Sequence, residues 1–203
     1  MHASPFRKIQ TMSAILLTPP ALEPVSLADA KHFLRVAHDD DDEVIAALIA
    51  AARVHVEAQT RRALIEQNWR LVRDAWPVSR RVPILPVPVI AVTAIRVFAS
   101  DGAPQLLDLD DVIIDKTSAP AVLAFAQGAP QAAPERASAG IEIEITAGYG
   151  ETAGDVPEPL RQAIRMLVAH WYENRRLIAA SGEVASIPAS VTSLVAPFRV
   201  LSL

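Results

Sequence analysis

His38-Asp39-Asp40-Asp41-Asp42, with Glu43 next, is the densest run of candidate ligands in the chain. Clustered carboxylates bind hard cations, and a metal held there would support hydrolysis. The spacing departs from a calcium loop, because no glycine makes the turn and no bidentate glutamate closes it. The same residues, just ahead of an apolar-periodic stretch, would cap a helix and complement its dipole. A further reading makes Asp39, Asp40, Asp41 and Asp42 an acidic rim, facing a basic partner or a lumen. The other possible chemistry is thinner. His2, His32, His38, His55 and His170 form neither HxxxH nor HExxH, the helical zinc spacings. His55 and His170 fall on helical stretches beside apolar positions and read as core or boundary residues. Gly148 and Gly150 are followed by Glu151, Thr152 and Ala153 where a phosphate loop needs Lys and then Ser or Thr. Ser181, Ser186, Ser190 and Ser193 have no GxSxG surroundings. With no cysteine, thiolate metal sites, disulfides and thiol nucleophiles are excluded. No catalytic residue, cofactor or metal is assigned.

A different constellation lies at 156–176, VPEPLRQAIRMLVAHWYENRR. Pro157 and Pro159 suit a helix start, where a missing N–H costs little. Leu160, Ile164, Leu167 and Trp171 follow at steps of four, three and four and share one face. Arg175 and Arg176 sit at the negative end of the dipole. A core helix with a charge cap accounts for the Leu/Ile stripe. Tyr172, Arg175 and Arg176 fit a binding surface better, since Tyr and Arg are enriched at interface centres. Residues 177–203 then carry only Glu183 and Arg199 as charged side chains. That segment is too apolar for a solvated tail and too irregular for a clear helix, so it is expected to need a surface to lie on.

These features must be positioned by elements legible elsewhere in the chain. The 203 residues are 51% apolar and 21% charged, enough for one cored domain. A net charge of −4 and pI of about 5.7 argue against a protein that coats nucleic acid. No run reaches the length of a membrane span, and MHASPFRKIQTM lacks the apolar stretch of a signal peptide. Residues 1–11 read as an upstream extension, and 1–23 as a flexible or extended arm. Ser26 with Asp29 forms a weak capping box ahead of a short helix with Leu27, Ala30 and Leu34 on one face. Ile45, Leu48, Ile49, Ala52 and Val56 predict a second helix at 41–61, with Glu43, Arg53 and Glu57 polar. Ile65, Trp69 and Leu71 alternate as in a half-buried strand. VPILPVPVIAV is proline-broken and suits an edge or an extended connection. Strands are predicted at 93–98, 106–114, 121–125 and 141–146, with Asp101-Gly102 as a hairpin turn. Residues 127–140 form an Ala/Pro-rich loop. The order predicts an α+β fold, not a doubly wound sheet. Its small bundle has two N-terminal helices and one C-terminal helix (24–62 and 157–176), with antiparallel strands inserted at 63–148. The domain then runs 24–176, and 177–203 is a docking tail.

The segments DDDDEVIAALIAAARVHVEAQTRRAL, QNW, LPVPVIAVTAIRVFASDG, ITAGYG, VPEPLRQAIRMLVAHWYENR and PFRVLSL occur in an order that resembles the head–tail connector, or adaptor, family. Members serve tailed bacteriophages and phage-like gene transfer agents. The resemblance spans nearly all of the chain from residue 24, and residues 1–11 and the loop at 127–140 depart from it. It implies a non-enzymatic virion part, assembled in the bacterial cytoplasm and placed at the head–tail junction. Such parts form a ring, typically of twelve copies, between the portal protein and a neck, stopper or tail protein. DNA passes through the channel without sequence-specific binding, and no membrane is involved. The resemblance also implies that 177–203 orders on the portal, with Pro197, Phe198 and Arg199 as anchors beside Trp171, Tyr172, Arg175 and Arg176. Two rivals stand beside it: a small metal-dependent hydrolase using residues 39–43, and a DNA-binding terminase-like module, which the acidic pI disfavours.

Overall fold

The computed structural model describes residues 12–126, 128, 132–174 and 187–201. Among these, the elements run β1 (Ser13–Thr18), α1 (Leu27–Leu34), α2 (Asp42–Thr60), β2 (Gln67–Arg73), β3 (Arg81–Ile84), β4 (Val89–Phe98) and β5 (Pro104–Leu106). They continue with β6 (Val112–Asp115), β7 (Ala121–Phe125), β8 (Ile141–Ala147), α3 (Glu158–Glu173) and α4 (Ala189–Val195). The fold is α+β, as the element order predicts.

Ser26 caps α1, its hydroxyl accepting from the Asp29 amide at 3.0 Å. Helix α2 buries Ile45, Ile49, Ala52 and Val56 at the predicted period, and α3 buries Leu160, Ala163, Ile164, Leu167 and Val168. These faces meet with α1 in one helical core that also holds Val25, Leu64, Ile65 and Val156. A second core lies between a five-stranded antiparallel sheet, order β1-β2-β8-β4-β5, and a three-stranded sheet, order β3-β7-β6. Strand β8 explains the sheet's register. Ile141, Ile143, Ile145 and Ala147 point into the core, while Glu142 and Glu144 face outward.

On that outer face Glu144 receives Arg96 of β4 at 2.7 Å and Arg70 of β2 at 2.8 Å. The bond from Arg96, followed by that from Arg70, holds the Glu144 carboxyl below its ordinary range. A lowered carboxylate pKa stabilises the fold above the unfolded value, and that gain is lost as pH falls through the folded value. Glu144→Gln is therefore expected to cost up to about 1 kcal/mol near neutrality. The cost should shrink in urea melts as pH falls below the carboxylate's unfolded pKa, and vanish only once pH is below its lowered folded value as well. A cost that does not shrink in acid would rule out the ion pairs as its source.

The structure revises several expectations. Residues 106–114 are not one strand. Asp108 accepts from the Asp110 amide at 3.0 Å and starts a single 3₁₀ turn at Leu109–Asp111, so β5 and β6 fall in different sheets. The proline-broken stretch splits. Pro83, which has no N–H to give, lies in the edge strand β3, whereas β4 starts early, at Val89, and pairs along β8. The segment expected as an arm contains β1, paired antiparallel to β2 from Ser13↔Val72.

The largest revision concerns the tail. Pro188 starts α4, whose Val191 and Val195, four residues apart, are buried in the helical core. Val200 is buried in the sheet core, and its amide donates to the Thr60 carbonyl at 3.1 Å. The described part of the tail is thus part of the domain and joins its two cores.

Candidate assembly surface

The acidic run stands at the N-terminus of α2. Asp41 is the capping residue, but its side chain makes no capping bond and instead accepts from the Tyr172 hydroxyl at 2.5 Å. Lys31 of α1 reaches Asp39 and Asp42 at 2.6 Å each. Hydrogen bonding to Asp39, then to Asp42, raises the Lys31 pKa, and the same lysine lowers that of Asp39. Asp39 and Asp42 thus converge on the Lys31 ammonium, which fills the place between them that a cation would take, while Asp41 turns to Tyr172. Asp39 and Asp40 remain open to solvent, consistent with a rim.

The structure brings part of the predicted partner surface together. Trp171 sits edge-on to His55 of α2, ring centroids 6.0 Å apart. One turn further along α2, Gln59 bonds Arg199. Trp171 and Arg199 therefore share a flank of α2, with Val191 and Val195 lining the small cleft beside it. Phe198 is half-buried, and its carbonyl accepts from Arg62 Nε at 2.7 Å, while Pro197 and Arg199 are exposed. Tyr172 diverges from this group toward Asp41. Arg175 and Arg176 lie outside the described residues.

One polar centre is not apparent from the sequence. Arg53 and Glu57, expected on the polar face of α2, are turned inward. The Arg53 guanidinium, in a residue only 9% exposed, bonds Glu23 and Glu57 at 2.8 Å each. The other Glu57 oxygen accepts from the Leu64 amide at 2.9 Å and from Gln67 Nε2 at 2.7 Å. Burial pushes the Glu57 carboxyl above its ordinary range despite these donors. The pair's spacing of four along α2 was a usable signal. The partners across the helix–sheet junction were not.

Beside this centre a groove of about 500 Å³ opens between α2 and the β1–β2 edge. On β1, Ile15, Leu16 and Leu17 are 49%, 41% and 42% exposed, and Val54 of α2 is 54% exposed.

Apolar side chains exposed along an edge strand mark a surface suited to a protein partner. The chain is a member of the head completion protein family, whose sequence model matches residues 23–199. It is thus a structural head–tail component of a phage-type particle, of the head–tail connector kind. Solved structures give the same fold. A chain of the "virion of native gene transfer agent (GTA) particle" has TM-score 0.78 and 24% identity, covering 94% of this chain and 96% of that one. A chain of the "neck of empty GTA particle computed with C6 symmetry" has TM-score 0.78 and 23% identity, covering 94% and 97%. A chain of the "neck of native GTA particle computed with C12 symmetry" has TM-score 0.69 and 26% identity, covering 93% and 97%. No curated protein sequence matches the chain.

Proposed function

We propose that this protein is a head–tail adaptor that forms a ring, of twelve copies, between a portal protein and a neck, stopper or tail protein and extends the DNA channel. The observation that carries the reading is the family match over residues 23–199. The likeness to a neck chain over 93% of this chain supports it, and the C12 symmetry of that neck supports the copy number. Portal docking is assigned to the end of the chain. There Leu201 is 82% exposed just beyond the buried Val200, next to the exposed Pro197 and Arg199. Trp171 and Phe198 support this surface from within, and Arg175 and Arg176 remain proposed contacts. Tyr172 serves instead by fixing the acidic rim through Asp41. Asp39 and Asp40 face the lumen or its rim, where negative charge lets DNA slide without adhering. The hydrolase alternative is not favoured, since the Lys31 ammonium already sits between Asp39 and Asp42, and Asp41 is taken up by Tyr172.

Electron microscopy of the protein mixed with its cognate portal tests the reading. The expected image is a ring capping the portal's narrow end, with the last residues ordered against it. No complex at micromolar concentrations would overturn it. Within that test, Leu201→Asp is expected to weaken portal binding at least about tenfold while leaving the melting curve unchanged, since an exposed side chain contributes little to the fold.

A further inference from the structure

The groove between β1 and α2 has a counterpart on the same molecule. Its lining is apolar at Leu16, Val54, Ala58 and Leu85, and carries Arg61 and Arg62 beside the buried Arg53, whose charge Glu23 and Glu57 already meet. The opposite edge of the sheet is β5. There Leu106 is 67% exposed and Leu109 37% exposed, flanked by Asp108, Asp110 and Asp111 on a protruding corner.

The geometry points to a head-to-tail contact between copies of this chain, in which the corner at residues 106–110 of one copy seats in the β1–α2 groove of the next. Leu106 and Leu109 enter the apolar floor. The Asp cluster faces the arginines. The occupant is a second copy because both halves of the match, apolar and charged, lie on this one chain. The two halves lie at opposite edges of one sheet, four strand spacings or about 19 Å apart. Unlike patches on opposite sides repeat with a constant rotation, which makes a ring when that rotation closes, whereas a self-complementary patch would stop at a dimer. The contact also covers two apolar strand edges that would otherwise invite aggregation.

This inference rests on the ring reading, and the test separates the two. The chain has no cysteine, so Leu16→Cys with Leu106→Cys supplies the only thiols. Rings assembled on portal are scored by electron microscopy, oxidised and run on a denaturing gel. Cysteines bridge only when their Cα atoms lie within about 7 Å. The expected result is a ladder extending past the dimer, with each single variant, and Leu16→Cys paired with the remote Val78→Cys, stopping at the dimer. Rings without a ladder would overturn this contact and leave the adaptor reading intact. Absence of rings from the cysteine-free parent would overturn the adaptor reading itself. Asp110→Lys in the parent decides the matter where the double variant does not assemble. Its assembly midpoint is expected to rise at least about tenfold, from like charge meeting arginine. An unchanged midpoint would overturn the contact.

Discussion

A chain ending at Arg176 is expected to be about 5 kcal/mol less stable than the full protein. The deletion removes Val191, Val195 and Val200, each 6% exposed or less. Burial of one such side chain contributes about 1.5–3 kcal/mol. It also takes away the acceptor for Arg62 Nε and the amide that donates to Thr60. Against a total stability of roughly 5–15 kcal/mol, this is a large share. Thermal unfolding should show the midpoint falling by about 10–20 °C for a chain of this size. An unchanged midpoint would mean that α4 and the residues after it add nothing to the two cores. The result bears on function, because loss of portal binding by that truncation would report lost folding as well as lost contact. A cut that keeps Val200 and removes only 201–203 isolates the docking question.

The second large effect is expected at Glu57. Glu57→Ala leaves the Arg53 guanidinium with Glu23 as its remaining carboxylate, takes the acceptor from the Leu64 amide and removes one of two acceptors of Gln67 Nε2. Breaking a buried ion pair from one side costs about 3–5 kcal/mol, and Glu23 should hold the loss to the lower end of that range. Glu57→Gln keeps an acceptor for Leu64 and should cost less. Replacing the pair together, Arg53→Met with Glu57→Leu, should recover much of the loss, since no buried charge is left alone. Urea unfolding of the parent and these three variants compares the costs. Equal costs for the alanine variant and the double variant would show that the centre contributes packing volume and not charge.

The pH behaviour of Glu144, on the outer face of the sheet, and of the buried Glu57 has opposite signs. Glu144, held low by Arg96 and Arg70, favours the fold above its unfolded pKa. Glu57, pushed up by burial, binds its proton more readily in the fold, so its own contribution improves as pH falls toward its raised value. The two can be read separately by comparing Glu144→Gln with Glu57→Gln across the acid range.

Local rules were legible wherever one residue type settled a local choice. Alternation in IEIEIT fixed the faces of β8, the spacing of Ile45, Ile49, Ala52 and Val56 fixed the buried face of α2, and Ser26 fixed the start of α1. The segregated order of helices and strands predicted an α+β fold, and the ordered motifs pointed to the family. Helix α4 escaped because it is a single seven-residue stretch, ASVTSLV, rich in Ser, Thr and Val. Those residues have modest helix propensity and leave too little length to show a period. Only the open place between α2 and α3 makes it a helix.

By itself, then, the sequence determined the long helices, the clearest strands and their apolar faces, which follow from short-range spacing. Its ordered motifs showed which family the chain resembles. The tertiary structure alone decided that Arg53 and Glu57 turn inward, that the acidic run is drawn to Lys31 and Tyr172, and that the tail closes the domain. It also placed the apolar edges of β1 and β5 at opposite ends of one sheet. Each of these depends on a partner many residues away, and pairing free energy arises only when packing brings the two groups within a few ångströms and away from water.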